Sequence, residues 1–477
     1  MTMPRGLLAG WVGVLWLCSA PSARAWEVAE THAGLTEEAV SASKLHSVLA
    51  HKLGRDLGLW ETLRLPASVA DSDEGRRFFD RLRALDASGG YRPNKDGGQS
   101  ALAWVVAGTV LEKTPPERGR HHFLDPRTGK GLDDAAGLSG SLHALSLSFD
   151  EGTTSRDLAT GQSFDLRGKS SLEWLRSNLN DLSLPVFFAQ YELSATLRTK
   201  PERELALVRA LLALGSVLCL VEDAGHPAFS RNDMRGEFLG EGDGSALDSY
   251  VRNRMGRVAL PKSSAAAVRP TLDSYFIAAD GKGLSQIAGL GFFSTGTLPA
   301  DVPVSGRSLD RISSDANASL HFPSPMVNGL RFPGEGKLGY VWKDGHRVAS
   351  YRRIGDSLRF GFDDKVFEDS AKVLLPLVLS YAAGVVNQLF RGELEITVQS
   401  GKAEVRLKGL TGIKGEGRAT VLFEDEQGVR TAQPAVALDG SLSAVVPVPA
   451  GSRKLAVAWR GEDAAGEVVV VSEVSLP

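Results

Sequence analysis

The chain has 477 residues, 43% of them hydrophobic and 23% charged, with a net charge of −3 and a pI near 6.3. That balance is ordinary for a globular protein and gives no global pull toward nucleic acid. Two cysteines, Cys18 and Cys219, exclude a disulfide-stapled scaffold, and the length suggests two or more domains.

Residues 1–25 read as a secretory signal peptide. Arg5 supplies the positive start, Leu7 to Cys18 is an apolar stretch too short to span a bilayer, and Ala23-Arg24-Ala25 is a small-x-small cleavage site. The expected location is therefore secreted or periplasmic. No later apolar run is expected to span a membrane. Cleavage after Ala25 makes Trp26 the first mature residue. Its free α-amine and carbonyl oxygen could close a five-membered chelate ring on a metal, with His32 six residues on. Otherwise Trp26 is an apolar anchor for the N-terminus. Cys18 leaves with the leader, so Cys219 is a lone thiol: buried, intermolecular or a ligand.

Residues 26 to about 390 carry helical periodicity at Leu35–Leu53, Ala101–Leu111, Ser171–Thr199 (with a break near Leu184-Pro185), Glu202–Asp223 and Asp364–Phe390. Pro201 before the first turn and Gly225 and Pro227 beyond the last make Glu202–Asp223 the clearest. From Val258 to about Tyr340 the chain is rich in Gly, Pro and Ser and reads as loops over the helical body. After Arg391-Gly392 the period becomes two, in Glu393–Val398, Ala403–Leu407, Ala419–Phe423, Leu442–Val448, Lys454–Trp459 and Glu467–Val471. Six or seven short strands there predict a small C-terminal β-sandwich. The expected organisation is a mostly α-helical domain over 26–392 and a sandwich over 393–477.

Chemistry-bearing residues cluster in the first region. Arg120-His121-His122-Phe123-Leu124-Asp125-Pro126 places two histidines beside a turn. Cys219 and Asp223 lie four apart, so they share a helix face and could bind one metal or two adjacent ones. Asp223 sits at the negative end of its helix, where a carboxylate wants a compensating cation. A metal, Arg231 or solvent would serve. His226 follows in the loop, as a substitute ligand or a surface residue. The acidic tips Glu424-Asp425-Glu426 and Glu462-Asp463 lack spaced calcium ligands and read as solvated turns.

An N-terminal Trp, then Thr-His, then His-Phe-x-Asp-Pro, then a helix ending in a carboxylate resembles the zinc-dependent phospholipases C, which include bacterial alpha-toxins and fungal single-strand nucleases. The resemblance covers 26 to about 392. It implies an all-helical domain holding three zinc ions in a cleft; in alpha-toxins a C-terminal sandwich engages membrane. It places Trp26 and His32 on one zinc, His122 on its neighbour and Asp223 as the bridging carboxylate, with Cys219 replacing a histidine ligand. Phe229 replaces the next histidine, and Gly244 and Asp248 are the nearest match to the His-x3-Glu pair. Where the family has an acidic ligand and base, Lys113 aligns and Glu112 is adjacent.

The resemblance thus implies metal ligands Trp26, His32, His122, Cys219 and Asp223, with Glu112 and Asp223 as candidate catalytic carboxylates. The cofactor expectation is one or two zinc ions, or none if the site is lost. A two-zinc phosphoester hydrolase acting on a phospholipid or other phosphoester, with peripheral membrane contact through the C-terminal domain, stands against a non-catalytic binding or structural relative. Nucleic acid is disfavoured, since no basic groove or aromatic run is visible. The ligand residues should converge in space, and Phe229 should make the third-metal corner apolar and dry.

Overall fold

The computed structural model describes residues 28–70, 72–73, 75–77, 98–114, 116–132, 154–156, 163–165, 167–233, 246–255, 265–298, 301–303, 336–434, 436–438 and 443–476. The leader residues 1–25, Trp26 and Gly244 lie outside them.

The helices used below are α1 (Ala33–Ser41), α2 (Ala101–Glu112), α3 (Ser171–Leu175), α4 (Leu184–Thr196), α5 (Lys200–Ala224), α6 (Pro227–Ser230), α7 (Leu284–Gly291) and α8 (Asp364–Leu389). Their ends follow from capping chemistry. Ser100 accepts from the Ala103 amide at the start of α2, and Asp363 accepts from the Lys365 and Val366 amides at the start of α8. Glu202 accepts from the amide and hydroxyl of Thr199, which fixes the start of α5.

The expected single segment Leu35–Leu53 is divided. A π-turn, Val28–His32, runs into α1; a break at 42–44 follows, then two short turns to Lys52. The break redirects the chain, with Ser43 accepting from the Leu45 amide and Asn387 accepting from the Lys44 amide. The Ser171–Thr199 stretch is divided near the expected Leu184-Pro185 break, into α3 and α4, with Ser183 before the second and Pro185 in its first turn.

α5 is the centre of the body. Val208, Leu211, Leu214, Leu218 and Val221 are all buried, as are residues on its other faces. It crosses α2 with backbones nearly touching. A Cβ added at Gly108 would come 2.0 Å from the Leu212 carbonyl oxygen, and one at Gly215 would come 1.9 Å from that of Val105. Only glycine allows this approach, which sets the C-terminal half of α5 against the C-terminal end of α2. α5 and α8 are each long and apolar enough to cross a membrane, contrary to the expectation from sequence. The protein itself buries 83% and 67% of their apolar stretches, as core helices require.

The region read as loops holds more than loops. Asp273–Phe276 and α7 are helical, and an antiparallel sheet begins inside the region and continues beyond. Its strands are β1 (Val302–Pro303), β2 (Leu338–Lys343), β3 (His346–Ile354) and β4 (Ser357–Gly361), in the order β1-β4-β3-β2. Asp344-Gly345 and Gly355, at positive φ, turn the two hairpins. Val341, Val348, Ala349, Tyr351 and Leu358 bury one face in the main core.

The C-terminal strands are β5 (Glu393–Gln399), β6 (Lys402–Lys408), β7 (Lys414–Glu424), β8 (Arg430–Ala432), β9 (Val436–Ala437), β10 (Ser443–Pro447), β11 (Lys454–Asp463) and β12 (Gly466–Ser475). They form two antiparallel sheets, β10-β6-β5 and β8-β7-β11-β12, with β9 also on β7. Leu394, Val405 and Leu407 from the first sheet share a core with Val421, Phe423, Val457, Trp459 and Val470 from the second. Alternate residues of the second sheet, Ala458, Val469 and Val471, belong instead to the helical core. That sheet is covered on both faces, which is why Val468 to Val471 is one unbroken apolar run.

Candidate functional site

The α2–α5 crossing brings three carboxylates, two imidazoles, one thiol and one ammonium together. His32, Glu112, His122, Cys219, Glu222 and Asp223 are fully buried, and Lys113 is 2% exposed. Asp223, in the last turn of α5, is the hub. Its Oδ1 lies 3.1 Å from His32 Nε2, and its Oδ2 lies 2.5 Å from both His122 Nδ1 and Lys113 Nζ. The cation that its position demanded is Lys113. Arg231 instead donates to the Gly289 and Phe292 carbonyls and to Thr297.

Two further carboxylates extend the network. Glu222, beside Asp223 in the sequence, lies 2.6 Å from His32 Nδ1 and accepts from Thr36 at 2.8 Å. Glu112 turns away from Asp223. It accepts from Arg118 and Ser216 at 2.5 Å and from the Trp174 indole at 2.7 Å, while its other approach is His122 Nε2 at 3.5 Å. Arg118 also donates to Asn180 and Asp181. Hydrogen bonds thus link Thr36, Glu222, His32, Asp223 and His122 in one buried chain, while His122 Nε2, 3.5 Å from Glu112, makes no hydrogen bond.

Electrostatics follow from burial and these neighbours. Burial opposes charge on Asp223, but Lys113, His32 and the hydrogen bonds from both histidines outweigh it and hold the carboxyl well below its usual range. Burial likewise opposes ionisation of Glu112, yet Arg118 and His122 pull it down to about 2. Glu222 is pushed up by burial. His32 resists burial because Asp223 and its two hydrogen bonds favour the imidazolium, so its pKa rises. His32 thus stands with a carboxylate on each ring nitrogen, Glu222 on one side and Asp223 on the other. Burial pushes the Cys219 thiol well above its ordinary value, so it is protonated.

His32, Cys219 and Asp223 each offer a donor atom within 4.8 Å of the others, the chemistry of a zinc site. His122 approaches Asp223 from the Oδ2 side. The sequence thus foresaw the convergence of His32, His122, Cys219 and Asp223; Trp26 lies outside the described residues. In this arrangement the donors do not fit a further dication. Both nitrogens of His32 and both oxygens of Asp223 are engaged, and an ammonium occupies the carboxylate.

Phe229 is fully buried, its ring 4.5 Å from Phe123 and 6.0 Å from both His122 and His226. Lys113 Nζ lies 4.8 Å from its centroid. His226 is not a surface residue: it is buried, and its Nδ1 accepts from the Ala228 amide at the start of α6. Burial lowers its pKa to about 3. His121 does not face open solvent but stacks on Trp174 at 4.0 Å. Asp125 holds a turn through Arg127. Asp248 is buried on the short helix Ala246–Tyr250.

The acidic tips are not solvated turns throughout. Glu424 and Asp463 are buried in ion pairs with Arg203, Arg430 and Arg391. Glu426 and Glu462 pair with Arg453 and Lys414. No protein-family model matches the chain, and no curated protein or solved structure matches it.

Proposed function

We propose that the chain is an exported phospholipase C-like protein in which a zinc-type cluster has closed into a salt-bridged core, and that it works as a non-catalytic binding or structural protein. The resemblance of 26–392 supplies the family, and the Ala23-Arg24-Ala25 site supplies export. The observation that carries the reading is burial: Asp223, both histidines and Cys219 are fully buried, and Lys113 nearly so. A reacting phosphoester needs a bound nucleophilic water and room for in-line attack. A fully buried cluster whose carboxylates are occupied by Lys113, Arg118 and the histidines offers neither.

One observation favours the rival reading, a zinc-dependent phosphoester hydrolase acting on phospholipid. It is the compact donor trio of His32, Cys219 and Asp223. Purified mature protein, assayed with zinc against phosphatidylcholine and a chromogenic phosphodiester, decides between them. We expect no chelator-sensitive turnover. Robust turnover that chelator abolishes and Asp223→Asn removes would overturn the non-catalytic reading.

A further inference from the structure

We infer that Lys113 is a tethered cation that stands in for a metal ion, and that its ammonium is the main barrier to metal binding by His32, Cys219 and Asp223. The inference rests on the non-catalytic reading above and deepens it. Three observations converge. Donor atoms of two imidazole- or carboxylate-type ligands and one thiol lie within 4.8 Å of one another. The Lys113 ammonium sits 2.5 Å from Asp223 Oδ2, on the carboxylate that a metal would share. The ammonium also lies 4.8 Å from the Phe229 ring centroid, where a π face serves a monovalent cation but offers no lone pair to a metal.

The backbone shows how the exchange is built. Lys113 is the residue at which α2 ends, with φ −89° and ψ 2°. Glu112, one residue earlier, points to Arg118, Ser216 and Trp174. The end of α2 therefore delivers an ammonium, not a carboxylate, to Asp223. A dication and an ammonium cannot share one buried carboxylate oxygen, because their repulsion is not screened there by water. A covalently attached cation also has no dissociation equilibrium. Its presence is independent of metal supply and of chelators, whereas a metal-held core is not.

Removing the charge should uncover the site. Full-length mature protein and its Lys113→Ala, Lys113→Met and Lys113→Arg variants are titrated with zinc, and bound zinc and thermal midpoint are measured. Wild type and Lys113→Arg should bind no stoichiometric zinc, with midpoints that neither zinc nor chelator moves. Lys113→Ala and Lys113→Met should bind one zinc per chain at least 100-fold more tightly than wild type, with midpoints that rise with zinc concentration. With Co²⁺ in place of zinc, these two variants should show a thiolate-to-cobalt charge-transfer band that the added Cys219→Ala change removes.

Three outcomes overturn the inference. One is stoichiometric zinc in wild type. Another is folded Lys113→Ala and Lys113→Met that remain silent to zinc and cobalt. The third is failure of both variants to fold even with zinc present, which would show that a metal cannot take the place of the ammonium. Turnover by zinc-loaded wild type would remove the non-catalytic reading itself. Zinc-silent variants beside an inert wild type would remove only the role given to Lys113.

Discussion

Arg203 on α5 and Glu424 at the end of β7 lie 3.0 Å apart, joining the central helix to the C-terminal sheets with both side chains almost shut off from water. Arg430 takes the same oxygen of Glu424 at 2.9 Å, reaches Glu473 at 2.7 Å and donates to the Ala195 carbonyl of α4. At the other end of the junction Arg391 holds Asp463. Breaking one partner of a buried pair leaves the other charge stranded, at a cost of about 3–5 kcal/mol.

Arg430→Ala should therefore uncouple the sheets from the helices. Wild type should unfold in one calorimetric transition and resist limited proteolysis between Leu389 and Glu393. The variant should show two transitions and release a C-terminal fragment. A variant that still melts as one unit, within about 1 kcal/mol of wild type, would show that apolar packing of Ala458, Val469 and Val471 alone holds the junction.

The α2–α5 crossing makes a second prediction. Gly215→Ala puts a methyl group against the Val105 carbonyl, a backbone atom that cannot swing aside. Overpacking of this kind costs about 1–3 kcal/mol, toward the upper end where backbone must move. Because Ser216 beside it holds Glu112, and Thr109 donates to the Gly215 carbonyl at 3.1 Å, the shift should also disturb the buried chain of carboxylates and imidazoles. Denaturant titration reads the stability loss. Histidine ring resonances should move for His122, whereas those of His346 in the remote β-sheet should not.

Much of this was legible in the sequence, for physical reasons. α5 and α8 announced themselves through periodicity and end signals, and the C-terminal strands through period two. The convergence of His32, His122, Cys219 and Asp223 followed from the resemblance. The sheet β1–β4 was missed because Lys337 to Gly361 mixes exposed arginines with short apolar stretches and follows a long Gly/Pro/Ser-rich segment. The roles of Lys113 and Glu112 were not readable. Two adjacent residues at a helix end point in different directions, and which faces Asp223 depends on a backbone crossing set by two glycines. Glu222, Thr36 and Ser216 carry no motif of their own; only their partners make them part of the network.

His226 makes a third prediction, on acid stability. Burial depresses its folded pKa to about 3, against about 6.5 unfolded. Between those values the unfolded chain binds a proton that the folded one does not, so stability rises with pH across the window. The contribution is fully present above pH 6.5 and is lost as pH falls toward 3, on the order of 3–5 kcal/mol in all. His226→Asn keeps an acceptor for the Ala228 amide but does not titrate. Chemical denaturation at pH 7 and pH 4 should show a steeper loss in wild type than in the variant. Parallel losses would place the acid sensitivity elsewhere.

The last prediction concerns Cys219. Its thiol is fully buried and pushed well above its ordinary pKa by burial, so in the native state it is neither accessible nor nucleophilic. A thiol reagent should leave the folded protein unmodified and label it only through global unfolding. The labelling rate in water should then equal the unfolding rate extrapolated from denaturant. Zinc and chelator separate this from a metal-bound thiolate. If Cys219 held a metal in the native protein, chelator would open the site and speed labelling, and added zinc would slow it. We expect neither to change the rate, because Lys113 already neutralises Asp223. Labelling within the mixing time without denaturant, or a rate that chelator raises tenfold, would contradict a sealed, metal-independent core.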